Sequence, residues 1–290
     1  MAENSEADDL DGLQYANSTA DGLPARLVGD WSKEKHHYLE RFINIFETGM
    51  HKQWKSRTYI DLFAGPGVCM FKKSRELTNG SPLLALKTAH PFTQYFFSDL
   101  DPTATAALRK RCAPFKDKAE INIFEKDCNA VAADIAAKID PKSLCLAFLD
   151  PTGLHVKFST IETLTKGKQV DLIIHFSHGE SIKRNIAGPS VIFKSQMDEF
   201  FGGDEWRAIY ERGRGNPVNL TNDLLVLYQT KLAKIGYKME PADAVLVKNT
   251  KNVPMYCLIF ASKHSRGMNF WKKAKQIESK GQRGLPFDLE

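Results

Sequence analysis

The chain has 290 residues, of which 42% are hydrophobic, 10% aromatic and 26% charged. That composition suits a globular chain with a sizeable core and excludes wholesale disorder, a collagen-like fibre and a coiled coil. The first 30 residues carry seven acids and one Arg, net −6, whereas residues 31–290 carry net +11, so a basic body lies beneath an acidic tail. Basic groups concentrate at 33–41, 183–184, 207–214 and 263–283, a pattern compatible with nucleic acid as a partner. No apolar run approaches the roughly 18 residues of a membrane helix, the longest being 144–149 and 172–176, so no membrane association is expected. The acidic N-terminus reads as neither a signal nor a transit peptide. Cys69, Cys112, Cys128, Cys145 and Cys257 are scattered without a Cys-x-x-Cys pair, which fits reduced thiols in the cytoplasm.

The polar tail predicts disorder over 1–25. Asp30 is then expected to cap a helix in which Tyr38, Phe42, Ile45 and Phe46 recur at helical spacing. A strand follows at 58–62 and ends in a glycine-rich turn. Ser81-Pro82 opens a helix over 83–89, 94–98 is a strand, and Asp101-Pro102 opens a helix reaching Cys112. Residues 121–124 read as a strand and 129–139 as an Ala-rich helix. The run 144–149 has the look of a strand buried on both faces, Ser159-x-x-Glu162 is a capping box, and 170–176 is a fifth strand. Strand alternating with helix five times predicts a doubly wound, mostly parallel sheet. After residue 177 the rhythm changes: helices are expected near 191–201, over 205–212, and from Thr221 to Gly236. The runs 244–247 and 255–261 face each other as an antiparallel hairpin. One domain over 26–272, with an insertion at about 177–222 and a basic tail over 273–290, accounts for this order.

The strongest chemical signal is the stretch from Tyr59 to Gly67, YIDLFAGPG. A strand running through Asp61 and Phe63 into Gly65-Pro66-Gly67 turns sharply and lets a ligand approach the backbone. In a doubly wound sheet that ligand lies beyond the carboxyl ends of the strands, where the strand order reverses. The spacing is neither G-x-G-x-x-G nor the Walker sequence, so a nucleotide-like ligand without phosphates fits best, and an NAD(P)-dependent reductase fits poorly. The second strand ends at Asp99, where a carboxylate can hold a ribose diol. The third runs into Asp127-Cys128, where a carboxylate can accept from an adenine amine or cap a helix.

In this order and at these intervals, Asp61, Gly65 and Gly67, then Asp99, then Asp127 resemble the three donor-binding motifs of class I S-adenosylmethionine-dependent methyltransferases. That resemblance implies a seven-stranded Rossmann-like sheet with an antiparallel C-terminal hairpin and S-adenosylmethionine as cofactor. More narrowly, residues 30–272 resemble the bacterial three-Cys-motif partner family. The matching features are Trp31 with the helix after it, YIDLFAGPG, Gly80-Ser81-Pro82-Leu83, FLDPTG, VDLIIHF, Arg184-Asn185, Phe200-Phe201-Gly202 and the segment from Ile259 to Trp271. This resemblance implies a radical-SAM-like three-Cys-motif protein as a partner and brings no settled acceptor.

The fourth strand ends in Asp150-Pro151-Thr152-Gly153, which resembles the D-P-P-[YFW] motif of amino-methyltransferases. By that likeness Asp150 and the Pro151 carbonyl accept from an exocyclic amine while its lone pair attacks the sulfonium methyl. The stacking aromatic of the motif is missing here, and His155, Phe158 or Phe176 can supply a ring from elsewhere. Methyl transfer is an in-line displacement that needs alignment more than acid–base chemistry, and Asp61 and Asp150 are candidates to orient the sulfonium. His175 and His178, at the end of the fifth strand, can line the cleft, bind substrate or act as a base. Arg184 and Asn185 are candidate substrate contacts, with Arg184 suited to clamp phosphate or carboxylate. Trp31, Lys33 and Tyr38 precede the first strand, where such enzymes lid the donor. His36-His37 has no partner at metal-ligand spacing, so no metal site is expected. The reading is a methyltransferase acting on a nucleic-acid amine; the alternatives are a protein methyltransferase or a non-catalytic donor-binding partner subunit.

Overall fold

The computed structural model describes residues 14–176, 191–213, 216–240, 243–248 and 254–277. Strands β1 (Tyr15–Asn17), β2 (Pro24–Val28), β4 (Val68–Phe71) and β5 (Leu77–Asn79) form a small sheet in that order. The main sheet holds β3 (Arg57–Asp61), β6 (Gln94–Asp99), β7 (Glu120–Glu125), β8 (Leu144–Leu149), β9 (Gln169–Phe176), β10 (Val245–Lys248) and β11 (Pro254–Ala261). Its order is β10-β11-β9-β8-β3-β6-β7, parallel from β9 to β7, with β11 antiparallel to β9 and to β10. The helices are α1 (Ser32–Met50), α2 (Ser81–Leu86), α3 (Pro102–Cys112), α4 (Cys128–Lys138), α5 (Phe158–Thr165), α6 (Val191–Phe201), α7 (Trp206–Gly213), α8 (Pro217–Lys234) and α9 (Ser265–Lys275). None is long and apolar enough to cross a membrane among the described residues.

Period-two alternation explains why the central strands read as unbroken apolar runs. Cys145, Ala147 and Leu149 of β8 pack in one core with α4, α5, α6 and α8, while Leu144, Leu146 and Phe148 enter the core beneath α1, α2 and α9. On that second side Phe42 of α1 meets Phe260 of β11 at 4.6 Å between ring centroids, and Phe260 stacks on Trp271 of α9 at 5.3 Å. All five cysteines are free and buried.

Several local expectations change. Residues 14–28, expected to be disordered as far as 25, form the β1–β2 hairpin (Tyr15↔Arg26 to Asn17↔Pro24), and β2 pairs in parallel with β4. Arg111 is what holds it. Its guanidinium donates to both carboxylate oxygens of Asp21 (2.8 and 2.9 Å) and to the carbonyls of Pro24 and Pro66 (both 2.7 Å), a bidentate pair on a side chain that is 5% exposed. The Arg111 hydrogen bond pulls the Asp21 carboxyl down to about 2. At the head of α1 the cap position falls to Trp31, and Asp30 instead pairs with Lys33 at 3.5 Å. The Ser159 capping box does not form: Asn129 of α4 accepts from the Lys157 N–H and the Thr160 hydroxyl, so the start of α5 is bonded from another helix. Helix α8 begins at Pro217 rather than Thr221, capped by Asn216.

Candidate active site

The chain enters the main sheet at β3, runs outward through β6 and β7, then crosses back to β8 and β9. The order therefore reverses between β3 and β8, where Asp61 stands beside Phe148. A crevice opens at such a reversal beyond the carboxyl ends of the strands. The turn after β3 and the Asp150-Pro151 turn after β8 form its walls. Between them lies a cavity of about 180 Å³, lined among others by Phe63, Gly65, Gly67, Asp150, Pro151 and His175.

Gly65 and Gly67 have φ of +58° and +84°, a conformation that side chains adopt only at a cost. A Cβ on Gly65 would meet nothing within 4 Å, whereas one on Gly67 would come within 2.9 Å of Leu108. Gly65→Ala is thus expected to lower stability by about 1 kcal/mol and Gly67→Ala by about 2–4 kcal/mol. Urea unfolding of the two variants measures the difference; equal losses would contradict the packing described.

Asp61 is fully buried under this turn. One carboxylate oxygen accepts from the Phe63 N–H at 3.1 Å, and Oδ2 has no hydrogen-bond partner among the described residues. Burial pushes its carboxyl up to about 7, against the pull of the Ser81 hydroxyl and the Phe63 amide. Asp99 does not line the cavity. Its oxygens accept from the Gly65 N–H (2.8 Å) and the Asp101 N–H (3.0 Å), which fastens the tip of β6 to the glycine turn. Asp127, exposed at the tip of β7, caps α4 by accepting from the Asn129 and Ala130 amides. Cys128 is buried and sits in the core with α4, its thiol pushed up to about 12 by burial. Arg184, Asn185 and His178 lie outside the described residues.

The acid after β8 is engaged by the protein itself. Lys35 donates to Asp150 Oδ2 at 2.5 Å, and both side chains are about 15% exposed (15% and 14%). Burial works to raise the Asp150 carboxyl, but the Lys35 ammonium together with His175 and Arg26 outweighs it and leaves Asp150 below its ordinary range. His175 Nδ1 stands 2.9 Å from the Pro151 carbonyl and 3.5 Å from Asp150 Oδ1. A carbonyl only accepts, so Nδ1 carries the hydrogen and Nε2 keeps its lone pair. Burial lowers this imidazole to about 4 against the attraction of Asp150, so the ring is neutral at pH 7. Its edge packs on Tyr256 at 4.3 Å, and Tyr256 donates to the Trp31 carbonyl. Of the three residues considered before the first strand, Trp31 lines the cavity, Tyr38 is in the core and Lys33 pairs with Asp30. Sequence reading missed Arg26, Lys35, His36 and Tyr256, all of which line the cavity. No motif marks them, because a distance of 115 residues separates Lys35 from Asp150.

The residues present fit an adenosyl sulfonium donor on two counts: a glycine turn with room above Gly65, and an orphaned carboxylate oxygen on Asp61 beneath that turn. The acids at the tips of β6 and β7 are engaged by the protein itself. The strand order, with β11 antiparallel, is that of the class I methyltransferase fold. No family model and no curated protein matches the chain. Solved structures similar to it include protein LPL1258 from Legionella pneumophila, 12% identical over 87% of this chain and 94% of that one, at a TM-score of 0.49. Another is cofactor-bound Rv0187 from MTB, 10% identical over 79% and 80%, at 0.44. A third is magnesium protoporphyrin IX methyltransferase from Synechocystis PCC 6803 with bound SAM, 11% identical over 81% and 85%, at 0.41. The strand order, and not these distant likenesses, defines the fold.

Proposed function

We propose that this chain is an S-adenosylmethionine-dependent methyltransferase acting on an exocyclic amine of a nucleic-acid base, and that it is a three-Cys-motif partner protein. The observation that carries the reading is the convergence of Gly65, Gly67, Asp150 and Pro151 on one cavity at the strand-order reversal. The net +11 of residues 31–290 supports a polyanionic acceptor. In this reading Phe63, Gly65 and Gly67 face the donor with Asp61 beneath their turn, Asp99 holds that turn to β6, and Asp127 and Cys128 act only by setting the start of α4. Asp150 and Pro151 orient the acceptor beside His175, and Arg184 and Asn185 are kept as acceptor contacts to be tested.

The donor supplies an electrophilic methyl on sulfur. The acceptor nitrogen's lone pair attacks that carbon, the C–S bond breaks with its electrons going to sulfur, and one N–H proton leaves. Asp150 Oδ1 and the second lone pair of the Pro151 carbonyl accept the amine hydrogens and aim the nitrogen. Of these two acceptors only the Asp150 carboxylate can take the departing proton, which it then releases to solvent. The N-methylated ammonium cation formed on an aromatic amine is a strong acid, so the weakly basic Asp150 carboxylate suffices.

A second reading has its own support. Lys35 and His175 already occupy Asp150 and the Pro151 carbonyl, as they would in a donor-binding subunit that serves a radical-SAM-like protein without transferring methyl itself. Incubating the protein with labelled donor and total cellular RNA and DNA separates the two. Label in a nucleoside supports the first; label in protein changes the acceptor class; none, with donor bound, supports the second.

The elevated Asp61 predicts a proton linkage. A cationic donor favours ionised Asp61, which below pH 7 must release its proton, so affinity falls as pH drops and levels off above 7. From pH 8 to pH 6 the loss expected in titration calorimetry is about 10-fold for S-adenosylmethionine, and Asp61→Asn flattens the profile. An unchanged profile in that variant would rule out Asp61 as the linked group.

A further inference from the structure

We infer that Arg26 forms an anion subsite inside the active-site cavity, one that takes a carboxylate or a phosphate from the bound ligands. The inference rests on the methyltransferase reading above and adds a group to which neither the glycine turn nor the Asp150 turn points.

Arg26 belongs to β2, in register with Tyr15 on one side and Cys69 on the other, and its half-buried side chain lines the cavity. Among the described residues it makes no hydrogen bond and no ion pair. A guanidinium carries five donors and cannot shed its charge, so leaving it without an acceptor in a partly desolvated cavity is costly unless a ligand completes it. Its field nonetheless reaches the site. It contributes to lowering Asp150, His175 and His36, and it pairs with none of them.

The charge inventory of the walls agrees. Among the described residues Asp150 is the one acid that lines the cavity, and Lys35 holds it at 2.5 Å. No described side chain supplies a counter-charge to Arg26, which leaves that place to a ligand. His36 provides a second, independent sign. It lines the same cavity, and its Nδ1 is buried without a partner. Burial holds this imidazole down at about 4, so it is neutral at pH 7 and can offer one N–H beside the guanidinium. An oxyanion accepting two N–H bonds from Arg26 and one from His36 satisfies both orphan groups.

Two ligands can bring such a group: the donor, through its α-carboxylate, or a nucleic-acid acceptor, through a backbone phosphate. Titration calorimetry of full-length wild type, Arg26→Met and Arg26→Lys with S-adenosylmethionine and with decarboxylated S-adenosylmethionine separates them. If the donor carboxylate is the ligand, Arg26→Met weakens S-adenosylmethionine about 10- to 100-fold, leaves the decarboxylated form unchanged, and Arg26→Lys restores part of the loss. If an acceptor phosphate is the ligand, both donor forms bind Arg26→Met as they bind wild type. Its affinity for a short single-stranded RNA then drops instead, with the salt slope reduced by about one. Arg26→Met matching wild type for donor and RNA alike would overturn the subsite while sparing the methyltransferase reading. Wild type that binds neither ligand would remove that reading, and the subsite with it.

Discussion

Asp150→Asn is expected to cut methyl transfer by about 10²- to 10³-fold, the scale seen when one charge-stabilising group is removed from an active site. Asparagine keeps the shape and one acceptor oxygen but loses the charge that faces Lys35 at 2.5 Å and His175 at 3.5 Å. Donor binding is expected to change by no more than a few-fold, because Asp150 stands on the β8 side of the crevice and the glycine turn on the β3 side. A kcat that collapses with KM for the donor nearly constant is therefore the signature. Should transfer persist undiminished, Asp150 is a turn residue and the acceptor is aligned by other groups. Asp150→Ala is a poorer probe, since it also leaves the Lys35 ammonium without its partner.

The second large effect is on stability. Arg57 opens β3 and donates from Nε to Glu47 of α1 at 2.8 Å, with the two side chains 9% and 1% exposed. It also donates to the carbonyls of Trp54 (2.7 Å) and Pro91 (2.9 Å). Arg57→Met removes one member of a buried ion pair and strands Glu47, whose Oε1 already lacks a partner. A loss of about 3–5 kcal/mol follows, which lowers the midpoint of thermal unfolding by roughly 6–15 °C in a chain of this size. Replacing both partners, Arg57→Met with Glu47→Leu, is expected to recover much of that loss, because the desolvated carboxylate disappears with its cation. Calorimetric scans of the single and double variants decide it; a double variant no more stable than the single would contradict the account.

The parts of the site that could be read from sequence are those where local chemistry and strand periodicity coincide. A strand buried on both faces is continuously apolar, so β8 is recognisable, and an acid with proline directly after it marks the end of the run. The YIDLFAGPG turn is recognisable because two positions need positive φ. Asp101 and Asp127 were readable as caps because their partners, the amides of Thr103, Asn129 and Ala130, lie within three residues. What escaped depends on distant partners. The β1–β2 hairpin is polar and short, and it is ordered by Arg111, some 90 residues further on. Asn129 replaced the Ser159 capping box from about 30 residues away. Arg26, Lys35 and Tyr256 come to the crevice from three different elements, and nothing in the neighbourhood of each records the others.

These roles all require that the crevice between β3 and β8 hold an adenosyl sulfonium. Titrating S-adenosylmethionine into the purified full-length protein, with S-adenosylhomocysteine, NAD and ATP as competitors, measures this most directly. Saturable binding at one site, displaced by S-adenosylhomocysteine and indifferent to the two phosphate-bearing nucleotides, is the predicted result. A chain that takes up NAD or ATP and leaves S-adenosylmethionine unbound would contradict it.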